Sequence, residues 1–208
     1  MKVGNRSQTY RSLWATGEGG TFPMVGINGS YYRLLTEPAS VSDSLLGGTV
    51  ATVDTFTTEP ALTAKGSVMS NVVTEGTAVQ QVKGMGDTLV AARVDGTLRV
   101  FQRVSFNGTA LRGSEKLKDT LQLSGHIRSM SLSSVGTVSD AAECERLFSL
   151  LTVNAVYESS GSLTNRQSLL ITLDNGLTVQ MIVKGDKLAA CGVWSCPEFI
   201  EAFEAAAQ

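Results

Sequence analysis

The stretch AVQQVKGMGDTLVAARVDGTLRVFQRV, residues 78–104, decides how the chain folds. It breaks into three short apolar-rich segments, 78–84, 87–94 and 97–104. Each is rich in valine, a residue that fits a pleated, half-buried surface. Met85-Gly86 separates the first two segments and Asp95-Gly96 the last two. Asp-Gly tolerates the positive φ that a two-residue hairpin turn demands. Three strands joined so tightly make an antiparallel meander, because parallel neighbours need a crossover of a dozen residues or more.

The same grammar extends toward the N-terminus. MVGINGSYYRLL (24–35) sets Asn28-Gly29 between apolar residues, a further hairpin signal. GTVATVDTF (48–56) spaces Val50 and Val53 among small polar residues and is expected to form a half-buried strand. Residues 57–77 are rich in Thr, Ala and Gly without a clear period and are expected to be loop.

Beyond a polar, glycine-punctuated stretch (105–125), the second half mixes strands with helices. HIRSMSL (126–132) suggests a strand through Ile127, Met130 and Leu132. SDAAECERLFSLLTVNA (139–155) predicts a helix, with Asp140 and Glu143 as a capping box. Cys144, Leu147, Phe148 and Leu151 fall on one face of it. RQSLLITL (166–173), the turn Asp174-Asn175-Gly176 and LTVQMIV (177–183) form a hairpin, to which KLAACGV (187–193) adds a third strand. SCPEFIEAFEAAAQ (195–208) closes the chain as a helix. Here Ser195 and Glu198 supply a second capping box, Pro197 sits in the first turn, and Phe199, Ile200 and Phe203 form the buried stripe.

The expected fold is therefore α+β: antiparallel β meanders and hairpins with two main helices packed on sheet faces, in two related subdomains. Residues 1–20 are a polar, linker-like start, 21–105 a mainly β subdomain, 106–125 the connecting segment and 126–208 an α+β subdomain.

Composition excludes several classes. With 42% apolar residues and 17% charged, the 208-residue chain lacks the high charge and low hydrophobicity of disorder. A net charge of −2 argues against nucleic acid, which is held by basic surfaces. No apolar run approaches the ~20 residues that span a bilayer. MKVGNRSQTYRSLW lacks the apolar stretch of a signal peptide. That leaves a cytoplasmic protein, or a chain whose targeting segment lies outside this sequence; the polar opening ending in GEGG resembles a juxtamembrane linker.

Candidate chemistry concentrates in LAACGVWSCPEF (188–199), read as a strand end, a tight corner and a capped helix. Cys191 and Cys196 do not have the Cys-x-x-Cys spacing of thioredoxin-type pairs, although Cys196 stands at a predicted helix start, where a thiol gains thiolate character. Two readings stay open: a structural disulfide clipping the corner, or two unbridged thiols. Three cysteines and one histidine are a poor basis for a zinc site, so no metal is expected. A hydrolase would have to use His126, the sole histidine, yet no Gly-x-Ser-x-Gly elbow accompanies it. The glycine-rich texts lack the phosphate-loop pattern, so no nucleotide cofactor is expected. The acidic pairs of the two helices read as solvated faces. Trp14, Tyr31, Tyr32 and Trp194 are the candidate interaction anchors, with one of the adjacent tyrosines pointing outward.

Two texts carry a resemblance. AVQQVKGMGDTLVAARVDGTLRVFQRV, and then SDAAECERLFSLLTVNAVYES with LLITLDNGLTVQMIV and CGVWSCPEFIEAF, resemble extracytoplasmic domains of uncharacterised membrane proteins and lipoproteins of Gram-positive bacteria. The resemblance implies a non-enzymatic, envelope-facing module that senses or binds an unidentified protein or small ligand. It also implies that the membrane is reached only through a segment absent from this chain. The rival expectation is a structural component of a virion or other assembly, since such shells are built from low-charge, Ser/Thr/Gly-rich β proteins.

Overall fold

The computed structural model describes residues 23–57, 67–104, 116–158 and 167–207. Among the described residues the chain is mostly β, with antiparallel sheets and three helices; it falls into two compact units, Met1–Thr109 and Ala110–Gln208.

The first unit holds β1 (Met24–Ile27), β2 (Ser30–Leu34), β3 (Leu46–Thr52), β4 (Thr55–Phe56), β5 (Val68–Ser70), β6 (Ala78–Val82), β7 (Leu89–Val94) and β8 (Thr97–Val104). They hydrogen-bond in the order β3-β6-β7-β8-β2-β1-β5-β4, antiparallel except for the β4–β5 pair. The meander read from residues 78–104 is present as β6-β7-β8. Asn28-Gly29 and Asp95-Gly96 adopt positive φ at both positions, as two-residue hairpin turns require.

The two ends of this sheet are joined in sequence. An open sheet of eight strands would hold its edges about 34 Å apart, at ~4.8 Å per neighbour. Only Val53 and Asp54 separate β3 from β4, and three Cα–Cα steps reach at most about 11 Å. The sheet must therefore curl until its edges meet. The linking residues stitch the seam: Val53 N donates to Thr77 O on one side (3.0 Å) and Asp54 N to Val68 O on the other (2.8 Å). Asp54 Oδ2 accepts the return bond from Val68 N at 2.9 Å. The result is a barrel filled by Val25, Ile27, Tyr32, Val79, Val90 and Phe101, with Val53 itself in the core.

Two expectations change here. The stretch 57–77 is not all loop, because β5 lies within it; three buried residues are too few to show a period. The expected strand 48–56 is two strands, β3 and β4, parted at Val53-Asp54; Val50 on β3 is 43% exposed, while Val53 at the break is buried.

The second unit contains β9 (Ile127–Leu132), β10 (Gly136–Val138), β11 (Val156–Glu158), β12 (Gln167–Leu173), β13 (Thr178–Lys184), β14 (Lys187–Ala189) and β15 (Val193–Ser195). Its sheet runs β10-β9-β12-β13-β14-β15-β11. The helices are α1 (Leu117–Thr120), α2 (Ala141–Asn154) and α3 (Pro197–Ala206). Helix α2 lies against β9 and α3, and α3 also meets β10. Cys144, Leu147, Phe148 and Leu151 are buried, as their spacing predicts. Both main helices belong to this unit; among its described residues the barrel has only a 3-10 turn, Asp43–Leu45, so the two units are not built alike.

The helix starts differ from the expected boxes. Asp140 caps α2, accepting from Glu143 N at 2.8 Å, but the Glu143 carboxylate turns to Arg146 instead of closing the box. Ser195 does not cap α3. It belongs to β15, Cys196 takes the cap position without a side-chain bond, and Pro197 opens the helix. The corner expected at residues 188–199 is a hairpin: the chain reverses at Ala190–Gly192, and β15 pairs with both β14 and β11. The expected single strand 187–193 is thereby split in two.

Candidate functional site

This hairpin separates the two cysteines that the sequence placed at one corner. Cys191 sits at its tip and Cys196 just past its far end, with Leu188 opposite Trp194 between them. A strand advances ~3.3 Å per residue, so the two lie about 10 Å or more apart, beyond the ~7 Å limit for a disulfide. None of the three cysteines is bridged, and all are buried. The structure thus holds the unbridged alternative.

Burial also decides their reactivity. The Cys196 thiol is pushed up to about 12, first by desolvation and then by the nearby Asp186 carboxylate. Burial likewise raises Cys144, whose Sγ lies 3.4 Å from Val138 O. The thiolate character expected at the α3 start does not develop, because desolvation of the sulfur outweighs the helix terminus.

Three of the four candidate anchors, Tyr31, Tyr32 and Trp194, are interior. Trp194 is 2% exposed. Its Nε1 donates to Ala190 O at 3.0 Å, and its ring meets Tyr157 edge-on at 5.4 Å. Gly192 lets this plug close: it holds φ +131°, and a Cβ there would sit 3.1 Å from the Tyr157 ring. Tyr31 and Tyr32 are 1% and 5% exposed, so neither points outward. They lie on opposite faces of β2, Tyr32 inside the barrel and Tyr31 packed with Met24, and each face is covered. Trp14 lies outside the described residues. The exposed large aromatic among the described residues is Phe56 on β4, at 46%.

His126 precedes β9, with Nδ1 3.2 Å from Asp174 Oδ2. Its carbonyl accepts from Asp174 N at 2.8 Å, which ties the strand start to the β12–β13 turn. A base and an orienting acid are thus adjacent, but no thiol completes a triad, since all three are buried elsewhere. Other carboxylates hold structure together. Glu145 accepts from Ser124 Oγ and Gly125 N, Glu198 from Asn154 and Glu158 from Lys187. Among the described residues no group of three or more His, Cys, Asp or Glu converges to hold a metal.

One residue was passed over in the sequence. Arg99 faces Ala92 across β7–β8, on the same side of β8 as Phe101, and so belongs to the face that lines the barrel. Its Nη2 donates to Leu35 O at 3.1 Å, while its buried Nε meets no acceptor among the described residues. The signal was there: in TLRVFQRV, Arg99 stands two places from Phe101 and therefore shares its face.

These features define a class by architecture: a largely antiparallel barrel followed by an α+β unit, with its thiols, Tyr31, Tyr32 and Trp194 committed to the interior. Comparison with protein-family models, with curated proteins and with solved structures finds no match to this chain.

Proposed function

We propose that this chain is a non-catalytic binding or protein-interaction module of the bacterial envelope, working outside the cytoplasm. The observation that carries this reading is the dispersal of its reactive groups. The sole histidine faces one aspartate at a turn, while the thiols are buried, with Cys144 and Cys196 raised in pKa. Nucleophile, base and oxyanion donors have to meet within hydrogen-bond reach for acyl-transfer chemistry. The envelope location is supported by the resemblance carried by residues 78–104 and by the segments between 139 and 203. On this reading the connection at 106–125 joins two subdomains, each with its own core.

Size-exclusion chromatography with light scattering tests the reading. A monomer near 22.0 kDa is expected, whereas a large closed oligomer would favour an assembly component. A hydrolytic activity lost in His126→Ala would overturn the non-catalytic reading directly.

A further inference from the structure

We propose that the Arg99 end of the barrel binds a small carboxylate with an apolar tail. This rests on, and deepens, the reading of the chain as a binding module. Arg99 pairs with Ala92, two rows in from the Val94–Thr97 pair that closes the Asp95-Gly96 turn, where the face of β8 passes from buried Phe101 to exposed Thr97. Arginine carries a cationic, planar guanidinium whose donors form a fixed fork. The ion pairs of the described residues join Arg93 to Asp43, His126 to Asp174, Arg146 to Glu143 and Lys187 to Glu158, and none involves Arg99. Its neighbours along the row are Ala92 across β7, then Val79 and Ala51, all small and apolar. Leu34 and Val94 pack half-buried against the same core.

A buried donor without an acceptor costs on the order of 1–3 kcal/mol, and more when it is charged. The planar fork of Nε and Nη2 matches the two oxygens of a carboxylate better than it matches a single carbonyl. Leu35 O engages Nη2 alone. The small side chains leading to Arg99 and the apolar rim of Leu34 and Val94 suit an aliphatic tail rather than a second charge. Barrel mouths are common places for such ligands.

The probe is butyrate, followed through the Nε–H signal of Arg99 in proton–nitrogen spectra of the full chain, with n-butanol and inorganic phosphate as controls. A saturable shift with butyrate, not reproduced by either control, is expected. Butyrate should also raise the melting temperature of the wild type but not of Arg99→Lys, which keeps the charge and loses the fork. Val94→Glu, which supplies a carboxylate from the adjoining strand, should abolish the butyrate response without loss of the fold. An unmoved Arg99 signal, or one moved equally by phosphate, overturns the site. That outcome leaves the non-catalytic reading standing, since that reading falls only on the mass measurement or the His126 variant.

Discussion

Cys196 shows how far the surroundings of one side chain can reverse what its position suggests. A thiol at a helix start ordinarily ionises more easily, yet here desolvation takes it from 9.0 to about 12. The sign of the linkage follows. Below the ordinary value both folded and unfolded thiols are protonated and the stabilising difference is fully present. Between about pH 9 and 12 the unfolded chain loses its proton first, so stability falls as pH rises. Urea midpoints measured from pH 8 to 10.5 should decline, and Cys196→Ala should make the decline shallower; identical slopes would contradict the burial argument. Gly192 belongs to the same scale. Gly192→Ala must place a Cβ at φ +131° and 3.1 Å from Tyr157, so a loss of more than about 1 kcal/mol is expected in the same assay. Cys144 was legible in the sequence as a core residue because its partners stand three, four and seven places further along one helix. Cys196 was not, because it is brought beside Asp186 of the β13–β14 turn only when β15 folds back.

For the elements, local chemistry was read well wherever a turn or a cap announces itself within a few residues. The hairpins at Asn28-Gly29, Asp95-Gly96 and Asp174–Gly176 needed nothing beyond their own dihedral preferences. The three-residue strands β5, β10, β11 and β15 left no periodic trace and were missed. Capping separates the two main helices. Asp140→Ala removes the one side-chain bond to the α2 start and should cost about 1 kcal/mol in urea unfolding. Ser195→Ala should stay within about 0.5 kcal/mol, because Ser195 lies in a strand and caps nothing. Equal losses from the two substitutions would restore the capping box that the sequence suggested for α3.

The whole molecule adds what no segment contains: the seam between β3 and β4. Closure rests on Val53 in the core and on Asp54, whose carboxylate accepts the Val68 amide. Asp54→Ala leaves that amide without its acceptor, at an expected cost of about 1–3 kcal/mol. Hydrogen exchange should quicken at Val68, with smaller effects on the β7–β8 ladder, and unchanged protection there would argue against a stitched seam. The candidate site depends on the same closure. Arg99 is only a charged residue in a strand until the sheet curls and turns its face inward.

Residues near one another in the chain determined the antiparallel character, the main turns and the core face of α2, because those features depend on periods and dihedrals of a few neighbours. The barrel, the separation of Cys191 from Cys196, the burial of both tyrosines and the unpaired, buried Nε of Arg99 were decided by the tertiary structure. Each of these depends on which distant strand comes to lie alongside, and on whether water still reaches the group once it has.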